Sequence, residues 1–176
     1  MLSILDLFRV GIGPSSSHTV GPIRIANRFL ANLSADMGPV SRIEVELQGS
    51  LALTGAGHAT PKAVMLGLLG FEPETLDPDA ADRDVAALEA SRQLPLPDGR
   101  TIPFDPGTDI VFAYDVLPTL HPNGMRLRAF NADGDVVSDE TWYSTGGGFI
   151  ATERQLQRPV EDDILPVGPS VPYPFG

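Results

Sequence analysis

The segment Gly13-Pro14-Ser15-Ser16-Ser17-His18-Thr19 places four hydroxyl groups and an imidazole between a predicted turn and the start of a predicted helix. Hydroxyl groups and the unpaired N–H groups of a helix start can bind a carboxylate, and an imidazole can carry a proton. This segment is therefore a candidate anion site, with His18 as proton carrier or substrate ligand. The alternative is ordinary capping, in which Ser17 or Thr19 caps the helix and His18 faces solvent. Three consecutive serines exceed what one cap requires.

A second histidine lies in Thr54-Gly55-Ala56-Gly57-His58-Ala59-Thr60. Gly55 and Gly57 would let the backbone approach a ligand closely. Thr60 is predicted to cap the next helix, which would direct the positive end of that helix toward the same region. Small neighbours leave the His58 imidazole accessible and near its neutral, base-competent form. The alternative is a glycine loop that carries an incidental histidine.

Two further segments are rich in turn-forming residues. In His121-Pro122-Asn123-Gly124 we predict a turn with positive φ at Asn123 and Gly124, and a binding role for His121 or Asn123 requires proximity to the other loops. The glycines of Tyr143-Ser144-Thr145-Gly146-Gly147-Gly148-Phe149 favour either an anion-binding backbone nest or a flexible strand exit. This segment lacks the lysine of a phosphate-binding loop and the spacing of a dinucleotide site. The histidine spacing matches no local zinc motif, which disfavours a three-histidine zinc site.

The remaining pattern predicts one α+β domain, in which an antiparallel or mixed sheet has helices packed on one face. Strict alternation predicts a strand at Arg42–Gln48. The predicted helices are Ser3–Phe8, Thr19–Leu33, Thr60–Gly70 and Asp79–Leu94. The later predicted strands are Thr101–Phe104, Asp109–Tyr114, Met125–Asn131 and Val136–Tyr143. Asp133-Gly134 marks a hairpin turn between the last two strands.

Composition excludes several classes of protein. The 176 residues include 12 Lys and Arg against 23 Asp and Glu, and the net charge of -11 would repel a nucleic-acid backbone. The apolar runs are too short to cross a bilayer, and the N-terminus lacks the basic start of a signal peptide. We therefore expect a cytoplasmic protein with no nucleic-acid or membrane partner. Because the chain has no cysteine, it offers no disulfide, no thiolate nucleophile and no cysteine ligands for zinc or an iron–sulfur cluster.

Four strings together closely resemble the iron–sulfur-dependent L-serine dehydratases, also called L-serine ammonia-lyases. They are Ile12 to Thr19, Leu51 to Thr60, Leu120 to Met125 and Tyr143 to Phe149, in the same order as in that family. The closing Val171-Pro172-Tyr173-Pro174-Phe175 resembles the junction between the β domain and a larger helical α domain in single-chain members. The resemblance thus predicts a β domain at residues 1–155 and a proline-rich linker toward an α domain at residues 156–176.

The resemblance implies a lyase that converts L-serine to pyruvate and ammonia. In this family an iron of a 4Fe–4S cluster, carried on cysteines of the α domain, acts as a Lewis acid on the serine 3-hydroxyl while a base removes the α-proton. This chain has no cysteine, so the cluster is expected outside it and the isolated fragment is expected to be inactive. The implied partners are L-serine, the α domain of the same polypeptide and a second copy in a homodimer.

For the site, the resemblance and the residue types favour His58 as the base and His18 as a second catalytic group that anchors substrate. The substrate-binding candidates are Ser15, Ser16, Ser17, Thr19, Thr60, His121, Asn123, Ser144 and Gly146. No metal ligand is expected in this chain. The β domain of the family also resembles the allosteric substrate-binding domain of some phosphoglycerate dehydrogenases. A small-molecule-binding, regulatory or dimerisation module is therefore the alternative, and it differs in not needing His18 or His58 for turnover.

Overall fold

The computed structural model describes residues 17–33, 38–55 and 59–157. Its helices are α1 Val20–Asn32, α2 Ser50–Gly55, α3 Ala59–Leu68, α4 Pro78–Ser91, α5 Pro106–Asp109 and α6 Glu153–Gln157. Its strands are β1 Arg42–Gly49, β2 Gln93–Pro95, β3 Thr101–Pro103, β4 Ile110–Ala113, β5 Asn123–Phe130, β6 Val136–Gly146 and β7 Phe149–Thr152. Within these ranges no helix has the length and apolar character needed to cross a membrane.

A five-stranded mixed sheet in the order β4-β1-β5-β6-β7 forms the centre of the fold, and β2 and β3 form a separate pair. β1 pairs in parallel with β4, whereas the other neighbours in the sheet are antiparallel. Alternation along β1 places Ile43, Val45 and Leu47 on one face, where they are fully buried in a core shared with the helices. The predicted α+β class with a mixed sheet and helices on one face is confirmed.

The opposite face of the sheet carries charged side chains that pair across the strands. Arg126 on β5 donates to both carboxylate oxygens of Asp139 on β6, at 2.9 and 2.7 Å. Arg128 on β5 pairs with Glu44 on β1. A surface pair such as Arg126–Asp139 contributes at most about 1 kcal/mol. Most of this face is therefore charged, and the main apolar core cluster lies on the other face, against the helices.

Helices α1 and α3 pack closely at Gly67. A Cβ on Gly67 would lie 2.6 Å from Ala26 Cβ and 2.6 Å from the Ile23 carbonyl oxygen. The Gly67 carbonyl also accepts a hydrogen bond from Asn27 Nδ2 at 2.9 Å. Glycine is thus required for the close approach that fixes α1 in place.

Most of the predicted elements occur, and the exceptions have local causes. The helix predicted at Thr19–Leu33 is α1, and the strand predicted at Arg42–Gln48 is β1. The helix predicted to reach Leu94 ends at Ser91, because Arg92 adopts a left-handed conformation at φ 56°. Leu94 instead pairs with Ile102 between β2 and β3.

Four further short elements were not predicted from the sequence. Ser50–Gly55 forms α2, Pro106–Asp109 forms α5, Phe149–Thr152 adds the edge strand β7, and Glu153–Gln157 forms α6. The hairpin predicted at Asp133-Gly134 is confirmed, with Gly134 at φ 86°. The helix predicted at Ser3–Phe8 lies outside the described residues. The division into residues 1–155 and 156–176 stays a prediction.

Candidate functional site

His18 lies in the turn before α1, where its imidazole is half-buried. The Nδ1 atom is 2.9 Å from Ser17 Oγ, and the Nε2 atom is 3.2 Å from Ser50 Oγ at the start of α2. Burial lowers the pKa of His18 below its ordinary value of 6.5, and a hydrogen bond with the Ser50 backbone acts in the opposite direction. The imidazole is therefore held between two hydroxyl groups, in surroundings that favour its neutral form.

Thr60 connects α3 to the turn that carries His18. Its Oγ1 donates a hydrogen bond to the His18 carbonyl oxygen at 3.0 Å. The prediction that Thr60 caps this helix is wrong, because Ala59 is already helical and Thr60 is fully buried within the first turn. The predicted role of Thr60 in binding substrate stays a prediction.

The loop between β4 and β5 approaches His18 through Ser50. The Ser50 backbone N–H donates to the Pro122 carbonyl oxygen at 2.8 Å. Gly49 permits this contact, because it adopts φ 59° and a Cβ there would lie 2.2 Å from the same carbonyl oxygen. The loop that contains His121 and the turn that contains His18 therefore meet at the beginning of α2.

Asn123 extends the site from this loop to β6. Its backbone N–H donates to His121 Nδ1 at 3.1 Å, and its buried Nδ2 donates to the Ser144 carbonyl oxygen at 3.1 Å. Neither Asn123 nor Gly124 adopts positive φ, so the turn predicted for these two residues is wrong. Both belong to β5, where pairing of both residues with β1 and of Gly124 with β6 keeps the backbone extended.

Ser144 and Thr19 contribute two buried hydroxyl groups near the first turn of α1. Ser144 Oγ packs so closely on Gly21 that a Cβ at Gly21 would be 1.9 Å away. Both Ser144 Oγ and Thr19 Oγ1 are buried without a hydrogen-bond partner in the described part of the chain. Thr19 is the N-cap residue of α1, yet its side chain makes no capping hydrogen bond. A buried hydroxyl left unpaired costs about 1–3 kcal/mol, so two near one helix start require an explanation.

The contacts form a closed path through the molecule. The path runs from His18 to Ser50, through the Pro122 loop to Ser144, and back to α1 at Gly21. The residues that we call the His18 cluster are Ser17, His18, Thr19, Ser50, Thr60, His121, Asn123 and Ser144. The structure thus brings together most of the predicted site residues that it describes.

The other predicted residues are not placed in this cluster. Ser15, Ser16 and His58 lie outside the described residues, and their roles stay predictions. Gly146 ends β6 at φ 106°, and a Cβ there would meet no described atom within 4 Å. Gly146 therefore belongs to the following turn rather than to the packed site.

Sequence reasoning missed Ser50 and Gly21. Ser50 carried a usable signal, since a serine between a predicted strand and the apolar Leu51-Ala52-Leu53 suits a helix start. Gly21 carried none, because its need for glycine arises only from the contact with Ser144 on a distant strand.

The described residues offer no set of ligands for a metal centre. The chain has no cysteine. Among the described residues, no group of three or more His, Asp or Glu side chains could hold a metal ion. An iron–sulfur cluster therefore does not fit the residues of this chain.

Comparison with known proteins gives the family. The model of the serine dehydratase beta chain matches residues 3–155. This chain belongs to that family. The matched range includes every member of the His18 cluster. The part of the chain that identifies the family is therefore also the part that forms the candidate site.

The similar serine dehydratases are longer proteins. An L-serine dehydratase of Streptomyces coelicolor is 43% identical over 178 residues, which cover 99% of this chain and 38% of the relative. L-serine dehydratase 1 of Escherichia coli is 42% identical, with the same shares covered. An L-serine dehydratase of Mycobacterium tuberculosis is 45% identical over 157 residues, which cover 87% of this chain and 33% of the relative. This chain thus spans little more than a third of the relatives that it matches.

Proposed function

We propose that this chain is the β domain of a longer L-serine dehydratase and supplies part of the site that converts L-serine to pyruvate and ammonia. Family membership and the names of the relatives support this reaction. The observation that carries the site is the His18 cluster, which contains a half-buried imidazole held by two hydroxyl groups and, at the start of α1, two unpartnered hydroxyl groups. These groups suit an amino acid, which presents a carboxylate and a weakly acidic α-proton.

The start of α1 is the proposed position of the substrate carboxylate. The first N–H groups of a helix have no partner within the helix, and the helix dipole favours a negative charge there. Thr19 and Ser144 add hydroxyl groups at the same turn, and a small movement that exposes them would supply two further donors. A carboxylate would thereby satisfy groups that are otherwise unpaired.

His58 is the proposed base, and His18 is the proposed substrate anchor. Both ring nitrogens of His18 already lie within 3.2 Å of a hydroxyl group, which suits an imidazole that is held in one orientation. His58 precedes α3, and Thr60 of α3 contacts the His18 carbonyl. Removal of the α-proton requires a neutral imidazole, and a positioned base of this kind contributes about 10²–10⁴-fold to the rate.

The rest of the longer protein is the proposed location of the 4Fe–4S cluster, because this chain offers no ligands that fit it. Three exposed apolar side chains lie on the two elements that carry Ser50 and His121, and they suit contact with that domain. They are Leu53 on α2 and Tyr114 and Leu117 after β4, which are 61%, 55% and 69% exposed. A homodimer and a cytoplasmic location remain expectations from the sequence.

Substitution of the histidines in the full-length protein tests the proposal. We expect His58→Ala and His18→Ala each to lower turnover of L-serine by about two to four orders of magnitude. The visible spectrum of the cluster should persist in both variants, since its ligands lie elsewhere. His121→Ala is the comparison, and we expect a smaller loss because His121 Nδ1 accepts a hydrogen bond within its own loop. Near-normal turnover in both His18→Ala and His58→Ala would replace this proposal with the binding-module alternative.

The isolated chain gives a second test. We expect anaerobic reconstitution with iron and sulfide to yield no cluster absorbance and no pyruvate, since thiolate ligands are absent. Cluster absorbance together with turnover would contradict the assignment as one domain of a longer enzyme.

A further inference from the structure

Arg24 joins three separate segments on the side of α1 that faces the β6–β7 turn. Its Nη1 donates to the Gly148 carbonyl oxygen at 2.6 Å. Its Nη2 forms an ion pair with Glu74, which lies between α3 and α4. The same hydrogen bond from Arg24 lowers the pKa of the Glu74 carboxyl. The guanidinium therefore ties α1 to the turn and to the segment that follows α3.

The turn that Arg24 contacts consists of three glycines. Gly146, Gly147 and Gly148 adopt φ values of 106°, 64° and 85°. Consecutive glycines at positive φ have little intrinsic preference for a single conformation, so contacts from outside must define the turn. A Cβ on Gly148 would lie 2.9 Å from Arg24 Nη1 and 3.1 Å from Val20 Cγ1, which shows how closely this turn packs on α1.

Ser144 lies on the strand that leads into this turn. The pairing of β6 with β7 is irregular between Ser144 and Gly146, so the sheet alone does not fix this end of the strand. Ser144 packs on Gly21 in the first turn of α1, and Arg24 lies one turn further along the same helix. The contact from Arg24 thus fixes the triglycine turn against α1, and the first turn of α1 is also where Ser144 packs.

We propose that Arg24 is a positioning residue, which fixes the triglycine turn and thereby holds Ser144 against the substrate-binding start of α1. This inference rests on the proposed function, because it assigns Ser144 to the binding of the L-serine carboxylate. Arg24 itself does not touch the substrate. Its effect should therefore appear in KM for L-serine rather than in kcat, since the α-proton is removed by another group.

The test compares Arg24→Gln with Arg28→Gln in the full-length protein. Arg28 lies one turn further along α1, is exposed and contacts the Trp142 ring rather than the turn, so it controls for the loss of one charge. We expect Arg24→Gln to raise KM for L-serine about tenfold, in line with the loss of a charged hydrogen bond, and to change kcat less than twofold. Arg28→Gln should leave both constants within twofold of the wild type. An unchanged KM in Arg24→Gln overturns the proposal.

A double substitution separates positioning from a general loss of stability. If Arg24 acts through Ser144, then Ser144→Ala should raise KM in the wild type but add little in the Arg24→Gln background. Fully additive effects would show that Arg24 does not act through Ser144. If Arg24→Gln does not fold, Glu74→Gln decides the question, because it removes the ion pair and keeps the arginine. We expect it to raise KM about threefold, and an unchanged KM would contradict the proposal.

Hydrogen exchange distinguishes failure of this inference from failure of the proposed function. Amides of the turn and of β7 should exchange faster in Arg24→Gln than in Arg28→Gln, whether or not the protein acts on L-serine. Equal exchange in the two variants overturns the contact between Arg24 and the turn. If Arg24→Gln shows faster exchange but the full-length protein does not deaminate L-serine, the contact between Arg24 and the turn is supported and the proposed role in substrate binding is refuted.

Discussion

Replacement of Gly21 by alanine probes the contact that closes the His18 cluster. The new Cβ would lie 1.9 Å from Ser144 Oγ and 2.7 Å from Ser144 Cβ. Rotation of the Ser144 side chain can relieve the first overlap but not the second, because a Cβ position does not depend on the rotamer. Ser144 Cα would be 3.6 Å away, which is ordinary contact. Only loss of the Ser144 Cβ therefore makes room for alanine at Gly21.

The expected magnitudes follow from two opposing effects. Overpacking costs about 1–3 kcal/mol, whereas alanine in place of helical glycine gains about 0.5–1 kcal/mol. Gly21→Ala alone should therefore lower the free energy of unfolding by about 1–2 kcal/mol. In a Ser144→Gly background the overlap is absent, so the same change should be neutral or stabilising. The coupling between the two substitutions should be about 2 kcal/mol.

Urea unfolding of the wild type, the two single variants and the double variant measures this coupling. Ser144→Ala is the matched control, because it removes the unpartnered hydroxyl and keeps the Cβ. Alone it should be neutral or stabilising, and it should not rescue Gly21→Ala. An equal effect of Gly21→Ala in the wild-type and Ser144→Gly backgrounds would refute the contact between the helix start and β6.

Two further substitutions test other parts of the structure. Gly67→Ala should lower the free energy of unfolding by about 1–3 kcal/mol in urea, because its Cβ would overlap the Ile23 carbonyl between α1 and α3. His18→Gln should flatten the dependence of stability on pH. Burial lowers the pKa of His18 in the folded protein below 6.5. Just below pH 6.5 the unfolded chain therefore binds more protons than the folded one. The stability of the wild type should accordingly fall as the pH decreases through 6.5 toward the folded pKa. If the His18→Gln variant loses as much stability over this pH range as the wild type does, the burial of the imidazole is contradicted.

The sequence predicted elements well where one local pattern determined them. β1 was predicted because apolar and charged residues alternate along it. This alternation suits a strand that has one buried and one charged face, so the local pattern alone determines the element. The end of α4 could not be predicted, because arginine gives no signal for the left-handed conformation that Arg92 adopts. Asn123-Gly124 carried a strong turn signal, yet pairing on both sides holds these residues in β5.

The site shows the same division between local and distant causes. The hydroxyl groups and histidines identified Ser17, His18 and Ser144 as candidates, because their chemistry is visible in the residue types. The contact between His18 and Ser50 was not predictable, since it depends on how the end of β1 meets the start of α1. Gly21 and Arg24 likewise gain their roles only from a turn that lies far along the chain.

The closed path of contacts through the His18 cluster has a consequence for folding. His18 bonds to groups 32 and 42 residues away, and Asn123 bonds to a group 21 residues beyond it. Contacts between distant residues form slowly, because the intervening chain must lose its freedom first. During synthesis, α1 and β1 would leave the ribosome well before Ser144, so the His18 cluster could not be complete until β6 had been made. A chain truncated before β6 would lack Ser144 and therefore the contact that closes the cluster on α1.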